Sequence, residues 1–231
     1  MGANPHRAQA FALDEGFSAA VSLAAECYVF RMAQGWGPVG EDAGSEAARL
    51  GRLAVSLDPD DAEALAIAAC ALGSTGEDLD GAVEMADRAA AIDPNSSFVC
   101  YQRGWTYVFA GLCEPAVAIF EEGLKLNSAD LSAHLSRVGL ALALTLTGRA
   151  EEAILLATKA VRQIPSFAMG HRIVAVALAT AGREDEARAA IGRSRELDPA
   201  LTISKFVAHR RWHDRTLSPL VALLRKAGLP E

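Results

Sequence analysis

The feature that most constrains this chain is a recurrence of small residues at near-constant spacing. Gly76, Gly111, Gly148 and Gly182 are separated by 35, 37 and 34 residues, and Ala82, Ala116, Ala153 and Ala187 by 34, 37 and 34. A period in this range marks an architecture in which one small unit stacks on the next. Each glycine falls between two stretches with apolar residues at helical spacing, where it can adopt the left-handed conformation that ends a helix. Each alanine follows on the second helix, where a small side chain lets two backbones approach closely. Pro59, Pro94, Pro165 and Pro199 then close successive units, because proline lacks the amide donor that a continuing helix requires. Ser128 takes the place of that proline once.

These landmarks divide residues 18–199 into about five helix pairs, at 18–59, 62–94, 97–128, 131–165 and 168–199. The first pair is longer than the others near its turn, where GWGPVG breaks the helical pattern. Residues 1–17 have the cadence of the tail of a second helix, so the chain is expected to begin within a repeat. That fits a chain cut from a longer protein, or one with an irregular cap. Beyond Pro199 come a short apolar stretch, a basic segment containing Arg210, Arg211 and Arg215, and an amphipathic helix from about Ser218 to Ala227. Its apolar residues Leu220, Leu223 and Leu224 are expected to cover the last repeat.

The central unit, SFVCYQRGWTYVFAGLCEPAVAIFEEGLKLNS, carries Gly104, Tyr107, Gly111, Ala116 and Phe120 in the order found in tetratricopeptide repeats, and the chain resembles that family. Cys100 stands where a large aromatic is usual and Arg103 where a leucine is usual. The resemblance implies an all-α fold: a TPR α-solenoid, a right-handed superhelix of antiparallel helix pairs with a C-terminal capping helix.

Composition narrows the function. Net charge is -7, with 16 acidic and 5 basic residues in 1–100, 11 of each in 101–200, and 2 acidic and 6 basic in 201–231. No broad basic face suits a nucleic-acid backbone, so direct nucleic-acid binding is not expected. No apolar run approaches the ~20 residues needed to cross a bilayer, so no membrane association is expected, and the start lacks a secretory pattern. The expected location is cytoplasmic. Cys27, Cys70, Cys100 and Cys113 show no paired spacing and read as buried small hydrophobes. His209 and His213 form a helical i, i+4 pair with no third ligand at a useful spacing. The acidic runs EDAGSE, DPDDAE and REDEAR read as helix caps. No phosphate loop, nucleophile elbow or zinc-protease helix is present, so a non-enzymatic chain with no cofactor and no metal is expected.

In arrays of the resembling family the first helices line a concave groove that receives a peptide or protein segment. By that resemblance Phe98, Tyr101, Trp105 and Phe109, with Glu63 and Arg172, are expected to face the groove. Trp105 is the foremost candidate, and its replacement by alanine is expected to weaken partner binding without unfolding the array. The lysine and asparagine clamp of the chaperone-binding subgroup is not matched, since the corresponding positions carry Ser22, Glu26, Ala66, Cys70, Tyr101 and Trp105. The stretches YQRGWTYVFAG, LRKAGLPE and CYVFRMAQGW resemble more specifically the C-terminal repeat region of bacterial class III adenylate/guanylate cyclase-type signalling proteins. That resemblance implies a regulatory protein-interaction scaffold coupled to an upstream catalytic domain. Similar arrays follow winged-helix DNA-binding domains or stand alone as adaptors, and the repeat residues do not separate these contexts.

Overall fold

The computed structural model describes residues 17–34, 42–127, 133–208 and 210–231. Residues 1–16 of the partial repeat expected at 1–17, the GWGPVG loop, Ser128 and His209 lie outside the described residues. Among the described residues, ten helices form five antiparallel pairs: α1 (Ser18–Gln34) with α2 (Ala43–Leu57), α3 (Ala62–Thr75) with α4 (Leu79–Ile92), α5 (Ser97–Phe109) with α6 (Cys113–Leu126), α7 (Ala133–Leu146) with α8 (Ala150–Gln163), and α9 (Ala168–Thr180) with α10 (Glu184–Leu197). A short α11 (Ile203–Val207) and a terminal α12 (Asp214–Lys226) follow.

The local chemistry places these boundaries. Gly76, Gly111, Gly148 and Gly182 all have positive φ, between 74° and 85°, and each ends a first helix. Asp42 accepts a hydrogen bond from the Ser45 amide, and Asp61 accepts from the amides of Glu63 and Ala64, so two of the three acidic runs cap helices. In the third, Arg183 instead pairs with Glu186 one turn on.

First helices touch one another in an inner row, and each second helix from α2 to α8 wedges between its own first helix and the next. Burial reflects that difference. The outer α4 buries only Ala82, Ala86 and Ala89, a single stripe at helical spacing, whereas the inner α3 buries every residue from Ala64 to Thr75. Ala82, Ala116, Ala153 and Ala187 are each fully buried, as close backbone approach requires.

Phe120 shows how tightly the rows interlock. Its ring is fully buried, edge-on to Trp105, with ring centroids 6.1 Å apart. A Cβ added to Gly104 or Gly139 would lie 2.6 or 2.3 Å from that ring, so the absence of side chains on α5 and α7 makes room for it. The departures from the family pattern have local reasons. At Cys100 the backbone of α6 comes close, since a Cβ added to Gly123 would lie 2.8 Å from the Cys100 Cβ. Arg103 reaches back to the preceding unit, donating to Asp87 at 2.8 Å, and Tyr107 donates to the same carboxylate oxygen at 2.7 Å.

The terminal segment covers apolar surface as expected, but over more of the array than its last unit. α12 packs against α9, α7 and α5, so the chain after α10 folds back across the inner row. The Arg211 amide donates to the Thr75 carbonyl at 3.0 Å, and the Trp212 Nε1–H to the Ser74 carbonyl at 2.7 Å. The His213 amide donates to the Phe109 carbonyl at 2.9 Å, and the Thr216 hydroxyl to the Val108 carbonyl at 2.6 Å. Carbonyls at the C-terminal ends of α3 and α5 thereby gain partners.

This packing sets the cost of two kinds of substitution. Phe120→Leu and Gly139→Ala should each lower the free energy of urea unfolding by about 1–3 kcal/mol, and the double variant should lose less than their sum, because the smaller ring vacates space for the new methyl. Gly148→Ala strains only a left-handed turn and should lose about 1 kcal/mol. Gly76→Ala should lose at least about 1 kcal/mol more in the same measurement, since the new Cβ would lie 1.9 Å from the Arg211 carbonyl oxygen.

Candidate functional site

The inner row encloses a central cavity of about 60 Å³ between α1, α3, α5, α7, α9 and the terminal segment. Its lining includes Tyr101, Trp105, Phe109 and Arg172, four of the six residues expected at the groove. Phe98 lies one turn before Tyr101, with its ring 6.4 Å from the tyrosine ring, and lines a second pocket with Leu124 and Leu135, of which Tyr101 and Glu26 are also walls. Glu63 stands exposed in the first turn of α3 and does not line the central cavity.

Three of the four lining residues are buried, and Tyr101 is half-buried. Trp105, Phe109 and Arg172 are only 5%, 6% and 5% exposed. Trp105 stacks on Phe109 at 5.6 Å, and Phe109 in turn meets Trp212 of the terminal segment at 4.6 Å. Replacing Trp105 by alanine would therefore remove core packing, a change that typically costs about 3–5 kcal/mol, so binding and stability cannot be separated at this position by truncation.

Charge is concentrated at one side of the cavity. The Arg172 guanidinium donates to the Ala33 carbonyl, tying α9 to α1. Arg210 donates to the Phe206 carbonyl, and its guanidinium lies over the Phe206 and Trp212 rings at 4.3 and 5.4 Å. Burial lowers Arg172 to about 10 against the pull of Asp198. Burial and the nearby Arg172 charge lower Arg210 to about 9, again opposed by Asp198. Both remain cationic at neutral pH. Asp198 is itself engaged by Lys205 at 3.3 Å.

Glu26 also lines the cavity, accepting from Gln102 at 3.2 Å. Burial, assisted by Glu26, holds Cys70 well above the usual thiol range, and burial raises Tyr101 as well, so neither is an activated nucleophile. All four cysteines are free thiols. Among the described residues no group of three or more His, Cys, Asp or Glu is placed to hold a metal. His213 of the proposed histidine pair caps α12, its Nδ1 accepting from the Arg215 amide at 3.1 Å.

Sequence reasoning missed Arg210, Phe206 and Trp212 as site residues. The available signal was the aromatic and basic composition of the segment itself, which the capping reading absorbed. It also placed the inner-row residues on the right helices without showing that the chain itself covers them.

No protein-family model matches the chain. No curated protein matches it either. Among solved structures, it is similar to PilW, described as a widely conserved type IV pilus biogenesis factor, with a TM-score of 0.60 and 14% identity over 90% of this chain and 88% of PilW. It is also similar to TTC0263, a thermophilic TPR protein in Thermus thermophilus, with a TM-score of 0.59 and 20% identity over 68% of this chain and 84% of that one. The MamA MSR-1 C2 structure matches with a TM-score of 0.50 and 27% identity over 68% of this chain and 87% of MamA. No helix among the described residues is long and apolar enough to cross a membrane. Its stacked helix pairs and this likeness together give the chain an all-α tetratricopeptide-repeat solenoid fold.

Proposed function

We propose that the chain is a non-enzymatic protein-interaction scaffold, the regulatory repeat region of a bacterial nucleotide-cyclase-type signalling protein. In this reading a partner segment engages the inner row by exchanging with the chain's own terminal segment. The observation that carries the reading is the seat of that segment. Trp212 and the 211–216 backbone hold the ends of α3 and α5 as a bound peptide would, through an aromatic anchor and main-chain hydrogen bonds. A partner with an aromatic residue beside an arginine has the chemistry to replace it. The cyclase context is supported by the sequence resemblance alone. CYVFRMAQGW, YQRGWTYVFAG and LRKAGLPE, far apart in sequence, each contribute to the lining of the same cavity, through Val29 and Phe30, through Tyr101, Trp105 and Phe109, and through Leu224.

Two measurements test this. Trp212→Ala combined with Thr216→Val should loosen the terminal segment, speed hydrogen exchange at the Arg211 and His213 amides at least about tenfold, and increase capture of the partner from the source cell. Faster exchange with no gain in capture rejects the exchange model. On an immunoblot, a native species much heavier than 24.3 kDa that forms cyclic nucleotides supports the cyclase context, whereas a species of that mass supports a free-standing adaptor. A heavier species that binds DNA supports the winged-helix context instead.

A further inference from the structure

The terminal segment sits on two of the four glycine turns and leaves the other two bare. A Cβ added to Gly76 would lie 1.9 Å from the Arg211 carbonyl oxygen, and one added to Gly111 would lie 2.9 Å from His213 Nδ1, whereas nothing comes within 4 Å of one at Gly148 or Gly182. The stretch 211–213 therefore lies directly on the first two turns, where the missing side chains make room for it. Each of these turns also offers two carbonyls from the end of its helix to outside donors. At the end of α3, Thr75 accepts from the Arg211 amide at 3.0 Å and Ser74 from the Trp212 indole at 2.7 Å. At the end of α5, Phe109 accepts from the His213 amide at 2.9 Å and Val108 from the Thr216 hydroxyl at 2.6 Å. One carbonyl of each pair is met by main chain, which any sequence supplies. The other is met by a side chain, and so discriminates between sequences.

The rest of the segment is recognised through its helical period. Thr216, Leu220 and Leu224 recur every four residues along α12 and are all buried, with Val221 beside them. Arg215, Ser218 and Arg225 stand on the exposed face of the same helix. Trp212 precedes the buried stripe by four residues, and its ring meets Phe109 at 4.6 Å. We propose that this seat selects a helix-forming segment with tryptophan at its start, serine or threonine four residues on, and large aliphatic side chains eight and twelve residues on, with polar residues tolerated on the outer face. Tryptophan is specified because phenylalanine has no ring donor and tyrosine carries its own at the tip of the ring. As a description of the partner that exchanges with the terminal segment, the rule rests on the scaffold reading; as a property of the seat, it does not.

The test titrates a fluorescein-labelled peptide of residues 210–231 with the full chain carrying Trp212→Ala and Thr216→Val, followed by fluorescence anisotropy. One peptide should bind per chain, in the micromolar range. The wild-type chain, whose seat is filled by its own segment, should bind it at least about tenfold more weakly. In the peptide, Trp212→Phe keeps the ring and loses the donor, and Thr216→Val keeps the shape and loses the hydroxyl. Each should weaken binding at least about fivefold, since a carbonyl of the seat then lacks that donor. Leu224→Ala in the peptide should weaken binding at least about tenfold, and Arg215→Gln should change it less than about twofold. The same titration with a chain carrying Trp212→Phe and Thr216→Val, which preserves the packing, guards against a first variant that fails to fold. Absence of peptide binding to the folded variants overturns the proposal, as does equal binding of the parent, Trp212→Phe and Thr216→Val peptides. A loosened chain that obeys the rule for the peptide yet captures no more partner rejects the scaffold reading and upholds the selectivity of the seat. A chain that captures more partner while ignoring the rule does the reverse.

Discussion

Helices that are apolar around their whole circumference must be covered on every side, and that requirement organises this molecule. α3, α7 and α9 each present alanine, leucine, isoleucine or valine in nearly every direction, and each buries most of its length. The outer row covers one side of them and neighbouring inner helices cover two more. The remaining side is the concave surface, which in an open solenoid would meet water. Here α12 and the segment before it close it, burying Trp212, Leu220, Val221 and Leu224 in the process. Each of these side chains contributes on the order of 1.5–3 kcal/mol by leaving water. The polar contacts to Ser74, Thr75, Val108 and Phe109 add register to an attraction that by itself has no direction.

Much of this was legible from residues alone, and the limits are instructive. Gly76 and its three counterparts located the turns because left-handed backbone is a local requirement, written in one residue. The buried alanines of the second helices were equally local. The position of α12 was not, because amphipathic spacing at Leu220, Leu223 and Leu224 says that a face is buried without saying against what. The even apolarity of AEALAIAACALGST on α3 and AMGHRIVAVALAT on α9 held the missing information, since helices lining an open groove would keep a polar stripe. Trp105, Phe109 and Arg172 were placed on the correct helices for the same local reasons, while their burial depended on a segment more than thirty residues away from the last of them.

Charge follows the same division between surface and interior. Exposed pairs such as Arg149 with Glu152 and Arg193 with Glu196 sit one turn apart on outer helices and contribute little individually. Inside, Arg103, Asp87 and Tyr107 form a half-buried cluster that links consecutive units with defined geometry, which a leucine at position 103 would not provide. Arg172 and Arg210 are the exception, because their charges are held close together near the centre and balanced there only in part.

The return of the chain across its own inner row also sets a length. A solenoid stacked only on nearest neighbours can gain or lose a unit and remain the same kind of object. This one is measured against itself, because the terminal segment is anchored at α9, at the end of α5 and at the end of α3, and Arg172 ties α9 to Ala33 on α1. Inserting a unit between any of these anchors would shift one without the others and leave the segment unable to reach all its partners. The spacing of units between α1 and α9 is therefore fixed by the reach of a tail whose sequence contains no repeat.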